Sequence, residues 1–248
     1  MNKIKVSAVS YLNTVPFVYG LKNSGILDKT ELSLDIPSIC AEKLISGKVD
    51  IGLIPVAAIP KLSYSKIISN YCIGAVGRVK SVILASNVPL EKIETIYLDY
   101  QSRTSVNLVK VLAKHYWKKE VKWKNTGPGF ETTVIEGNSA AVIIGDRTFA
   151  AVKQYIYIYD LAEEWYNFTN KPFVFAAWVA NKDIPAKLEN EFNKALRYGI
   201  EHIEEAAKEH RLKIEKCINL VDYLKNDISY PLDNDKKEGM TTFLELLV

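Results

Sequence analysis

The sequence predicts an α/β protein folded as two lobes, on three observations. Apolar, β-branched segments alternate with amphipathic ones; a strand-to-helix junction rich in hydroxyl and amide groups recurs three times; and two apolar runs, Ile73 to Ser86 and Pro172 to Ala180, can carry the chain from one lobe to the other and back.

Lys3 to Val9 reads as a buried strand. The helix after it, Val15 to Leu21, opens with Thr14 as cap and with Pro16 in its first turn, where a missing NH costs nothing. Strand Leu32 to Ile36, helix Ile39 to Ser46 closed by Gly47, and strand Asp50 to Ile54 complete two right-handed βαβ units. Val56 to Ile59 is a short helix after Pro55, and Ile73 to Ser86 is one connecting strand with Gly74 and Gly77 inside it. A second α/β unit follows: strand Thr95 to Asp99, helix Thr104 to Tyr116, strand Val121 to Lys124, the Gly127-Pro128-Gly129 turn, helix Phe130 to Glu136, strand Ala140 to Ile144 and helix Arg147 to Lys153. Pro172 to Ala180 returns the chain, its bulky Phe173, Phe175 and Trp178 reading as core. The remainder is helical, including a long amphipathic helix from Pro185 to Arg211. The lobes are then residues 1–85 with 174–248, and residues 86–173.

The junctions are Ser10-Tyr11-Leu12-Asn13, Tyr100 to Ser105, and Gly145-Asp146. Each precedes a helix whose free NH groups face an anion, and together they supply hydroxyls, an amide and Arg103. That set suits a small carboxylate ligand.

Composition narrows the function further. A chain of 248 residues with 48% apolar content buries a sizeable core, and a net charge of +3 spread over mixed helix faces argues against nucleic acid as a partner. Cys40, Cys72 and Cys217 lack metal-ligand spacing and read as reduced thiols. His115, His202 and His210 fall within helices amid Lys and Glu and read as solvated. No hydrolase, metallopeptidase or nucleotide-loop signature is present. Met1 leads straight into the first strand and no apolar run approaches about 20 residues, so a soluble cytoplasmic protein without a membrane partner is expected. The amphipathic C-terminal helices suit a core or an interface and leave a homodimer open.

The order of lobe one, crossing, lobe two, crossing back and C-terminal helices resembles the type II periplasmic-binding-protein fold, with a ligand cleft between the lobes. Six segments extend the resemblance: S-Y-L-N-T-V-P at 10–16, D-I-G-L-I-P-V-A at 50–57, G-R-V-K-S-V-I-L-A-S at 77–86, S-R-T-S at 102–105, I-G-D at 144–146 and K-P-F-V-F-A-A-W at 171–178. Together they are similar to the chorismate dehydratase family of the futalosine route to menaquinone, from Lys3 to about Val248. The paralogous dihydroxynaphthoate synthase family has a His-Ser-Pro-Asp type of motif where this chain has Ser10-Tyr11-Leu12-Asn13.

The resemblance implies a lyase that removes water from chorismate to give 3-[(1-carboxyvinyl)oxy]benzoate, with no cofactor and no metal. It places Asn13 and Ser81 at the reacting centre. Ser102, Arg103, Thr104 and Ser105 would hold a carboxylate, Gly145 and Asp146 would shape the floor, and Tyr11 and Ser38 would line the wall. No side chain stands out as the base, and the substrate's own enolpyruvyl carboxylate is the expected proton acceptor. The alternatives are a non-catalytic small-carboxylate binding protein and the paralogous synthase.

Overall fold

The computed structural model describes residues 3–130, 135–210 and 218–247. The chain divides into two compact units, residues 1–74 with 174–233 and residues 75–173 with 234–248.

The strands of the first unit are β1 (Ile4–Val9), β2 (Thr30–Asp35), β3 (Ile51–Pro55), β4 (Lys66–Ala75), β10 (Phe173–Ala180) and β11 (Ser229–Pro231), ordered β11-β4-β10-β3-β1-β2. β1 lies between β2 and β3 and is parallel to both, so the C-terminal ends of β1 and β2 share one edge of the sheet. β10 enters antiparallel to β3, and every residue of this apolar strand is buried. Trp178 meets Phe17 and Phe192 edge-on at 5.8 and 5.0 Å, as expected of core.

Helix α1 (Val15–Asn23) starts where the sequence places it, with Pro16 in its first turn, but Thr14 does not cap it. The Thr14 hydroxyl instead donates to Asn13 Oδ1 at 3.1 Å. α2 (Pro37–Ile45) joins β2 to β3. The helix expected over 185–211 is interrupted at His202, giving α6 (Ala186–Glu201) and α7 (Ile203–His210), with Arg211 outside the described residues. α6 crosses α1 at two glycines. A Cβ on Gly20 would sit 2.0 Å from Ala195 O and one on Gly199 1.8 Å from Pro16 O, so only glycine allows this approach.

Asp35, at the end of β2, accepts from Ser7 Oγ at 2.8 Å, Ser33 Oγ at 2.9 Å and Lys43 Nζ at 2.6 Å. Burial pushes its carboxyl up, but the bonds from Lys43, Ser7 and Ser33 outweigh this and hold it below the ordinary carboxylate value. A depressed folded pKa stabilises above the unfolded value and is lost as pH falls through the folded one. Asp35→Asn is therefore expected to cost about 1–2 kcal/mol at pH 7. Denaturant titrations of both proteins would converge on acidification below about pH 4.

The second unit holds β5 (Val82–Ser86), β6 (Thr95–Leu98), β7 (Lys122–Asn125), β8 (Ser139–Ile144) and β9 (Tyr157–Asp160), ordered β7-β6-β8-β5-β9. The run read as one strand over 73–86 is two, β4 and β5, separated by a turn with Gly77 at φ 75° and Lys80 at φ 63°. Left-handed backbone at a lysine costs about 1–2 kcal/mol, which a period of apolar residues does not reveal. α3 (Thr104–Val111) follows β6 and continues as a π-helical turn, Leu112–Tyr116. α4 (Thr148–Ala151) is shorter than expected, and the helix read over 130–136 falls largely outside the described residues. β9 and α5 (Leu161–Thr169) were not anticipated.

The last helix, Asn234–Glu245, belongs to the second unit, whereas the sequence reading groups it with the first. The reason is aromatic packing: Phe243 meets Phe173 at 4.9 Å and Trp165 at 6.0 Å. Among the described residues no helix is long and apolar enough to cross a membrane.

Candidate functional site

In the second unit, topology gathers one set of expected site residues at one sheet edge. β6 and β8 are parallel, so their C-terminal loops, Asp99 to Arg103 and Gly145 to Arg147, emerge together. β5 is antiparallel to β8, with Val82 opposite Ile144, so Ser81, the residue just before β5, lies at the same edge. Ligands of open α/β sheets bind at such carboxyl-end loops.

Hydrogen bonds fix these loops to one another. Gly145 N donates to Ser81 O at 2.9 Å, and Gly145 takes φ 67° to leave the strand. Ser81 is 1% exposed. Ser102 Oγ accepts from Ser105 N at 2.9 Å, so Ser102 closes the first turn of α3 with Thr104 and Ser105 buried behind it. Asp146 is half-buried in the single 3-10 turn Gly145–Arg147.

Arg103 bears most directly on chemistry. Its Nε is buried without a hydrogen-bond partner, and its guanidinium forms no ion pair among the described residues. A buried guanidinium donor left unpaired costs more than an ordinary hydrogen bond yields, so a carboxylate there recovers a large penalty.

Two residues of this edge were not anticipated. Asp99, buried at the end of β6, accepts from Arg147 Nη2 at 2.6 Å, Gln101 N at 3.0 Å and Ile144 N at 3.2 Å. It thereby ties the loop after β6 to the loop after β8. Arg147 also lies over the Tyr100 ring at 5.9 Å. A contact across 48 residues has no local sequence signature, and Asp99 looks only like the end of a strand.

In the first unit, Tyr11 and Asn13 follow β1 and Ser38 lies in the first turn of α2 after β2, so all three occupy the shared parallel edge. Asn13 lies in a 3-10 turn, Leu12–Thr14, closed by Thr14 N to Tyr11 O at 3.0 Å. Its carbonyl accepts from Tyr230 OH at 3.0 Å, and its Oδ1 takes the Thr14 hydroxyl. The side-chain NH2 has no partner among the described residues and remains a donor for a ligand. Tyr230 is fully buried on the three-residue β11, a segment too short for its period to be legible, and burial pushes its phenol well up.

His115 and His210 depart from their reading as solvated. His210 lines a pocket of about 130 Å³ with Ser10, Tyr11, Lys22 and Glu209, at the first junction. His115 has a buried Nε2 without a partner among the described residues and is held below its ordinary pKa by burial, then by Lys114 and Lys118. His202 stacks on Tyr198 at 4.0 Å. Cys40 is also inert: burial pushes its thiol up to about 12. Among the described residues no cluster of His, Cys, Asp and Glu could hold a metal ion.

Known proteins agree with this architecture. The AF1704 protein of Archaeoglobus fulgidus superposes with a TM-score of 0.78 at 15% identity, covering 98% of this chain and 96% of that one. The periplasmic aliphatic sulphonate binding protein SsuA of Escherichia coli gives 0.63 at 13% identity, covering 100% and 86%. The fold is thus of the periplasmic-binding-protein type. By sequence, a Thermus thermophilus protein named chorismate dehydratase is 24% identical over 265 aligned positions, spanning 96% of this chain and 92% of its own length. The model of a family described as menaquinone biosynthesis matches residues 4–248, and a match over essentially every strand and helix above makes this chain a member of the menaquinone biosynthesis family.

Proposed function

We propose that the protein removes water from chorismate to give 3-[(1-carboxyvinyl)oxy]benzoate, and that it does so in the cytoplasm. Family membership and the Thermus thermophilus relative support the choice of substrate. The observation that carries the chemistry is the buried Arg103 Nε, without a partner among the described residues, at the same sheet edge as Ser81.

The reaction is a redox-neutral elimination. The proton on the ring carbon bearing the enolpyruvyl ether is γ to the ring carboxylate through a conjugated double bond, so charge released by its loss spreads toward that carboxylate. Departure of the 4-hydroxyl with that proton, as water, leaves an aromatic ring. Arg103, with Ser102, Thr104 and Ser105, binds and polarises a substrate carboxylate. Asn13 donates to the departing hydroxyl through its amide, and Ser81 orients the ether. Tyr11, Ser38, Gly145 and Asp146 shape the surroundings. Fixed donors aimed at developing charge accelerate such a step without rearranging.

The base is the substrate's own enolpyruvyl carboxylate. No carboxylate beside Asn13 is needed, and a dianionic substrate would repel one. A chorismate analogue with that side-chain carboxylate converted to an amide should bind and persist unreacted. Conversion of the analogue at a rate near that of chorismate would refute substrate assistance, and would send the search for a base to the protein.

A further inference from the structure

We propose that Asp160 is a positioning residue for Ser81, acting through the strained turn that delivers Ser81 to the site; this rests on the reading of the site given above. Asp160 is the last residue of β9 and pairs in register with Ile83 of β5, which brings its side chain beside the turn entering β5. It is 4% exposed.

Its two oxygens divide four backbone donors. Oδ2 accepts from Val79 N at 3.0 Å and Lys80 N at 2.6 Å, and Oδ1 accepts from Ala162 N at 3.1 Å and Glu163 N at 3.2 Å. Arg78 Nε stands 4.0 Å away. Lys80, held at φ 63°, immediately precedes Ser81. One carboxylate therefore fastens the turn to the N-terminus of α5 and keeps Lys80 in a conformation that a lysine does not adopt by itself. The direction in which Ser81 leaves the turn follows from that conformation. Capping α5 requires only Oδ1; the bonds from Oδ2 add nothing to the helix and act on the turn alone.

An amide cannot replace this carboxylate. Asparagine has one acceptor oxygen, so its NH2 must face either the Val79 and Lys80 NH groups or those of Ala162 and Glu163, donor against donor. Burial raises the Asp160 carboxyl and the four NH groups oppose that rise.

The test is a double-mutant cycle on the full chain with chorismate as substrate, read as kcat, KM and Tm. Asp160→Asn is expected to lower kcat about 10–100-fold with KM within about 2-fold, and to lose that effect in the Ser81→Ala background, as coupled residues do. The drop in Tm should be equal in both backgrounds. Lys80→Pro, which removes the NH and forbids positive φ while sparing the α5 cap, should reproduce the kcat loss and covers the case in which Asp160→Asn does not fold. An active wild type with a variant of unchanged kcat, or a kcat loss of equal size with and without Ser81, overturns the inference alone. A wild type inert toward chorismate overturns the functional reading and the inference with it.

Discussion

Asn13→Ala is expected to lower kcat on chorismate by about 10²–10³-fold, the range for loss of one preorganised donor to a group developing charge in a transition state. KM should change little, because the donor matters most when the carbon–oxygen bond breaks. The substitution also removes the acceptor of the buried Thr14 hydroxyl, at a cost of about 1 kcal/mol in stability. Asn13→Asp separates the two effects. It keeps an acceptor for Thr14, and with it the stability, but an ionised carboxylate donates no hydrogen bond, so kcat should fall at least as far as in the alanine variant. Steady-state kinetics beside thermal melts would check both, and an Asn13→Asp protein with full turnover would remove Asn13 from the reaction.

Arg103→Ala should act mainly on binding, raising KM about 10–100-fold, the equivalent of one charge-assisted contact. Stability should hold or rise, because the variant removes a buried Nε that has no partner among the described residues. Arg103→Lys should recover only part of the loss, since an ammonium cannot present two parallel donors to a carboxylate. Titration of chorismate against each variant measures this directly. An unchanged KM in the alanine variant would mean that Arg103 does not meet the substrate.

Much of this was legible in the chain itself. Strand β1, the Pro16 helix start, the β2-α2-β3 repeat and the buried run at β10 follow from period, Pro and Gly placement. So does the edge bearing Ser102 to Ser105, because a hydroxyl before a helix is a cap in most settings and Ser102 acts as one. What escaped the sequence depends on pairing at a distance. β11 is too short for a pattern, yet it supplies the phenol that holds the Asn13 turn from 217 residues away. Asp99 looks like an ordinary strand end and Asp160 lies in a strand with no clear sequence pattern, and their work becomes visible only when the backbone NH groups of other loops surround them. The division of 73–86 into two strands turns on left-handed backbone at Lys80, a residue with no preference for it. His210 reads as a solvated position because helix periodicity gives its face but not the Ser10 and Tyr11 side chains beside it.

The most direct test is to mix the purified protein with chorismate and follow the solution by chromatography with mass and ultraviolet detection, against a heat-inactivated control. The account predicts that chorismate is consumed and that one aromatic product accumulates, lighter by one water and retaining both carboxylates and the enolpyruvyl ether. Chorismate that binds but persists unchanged, or that yields a product lacking the ether, would contradict it.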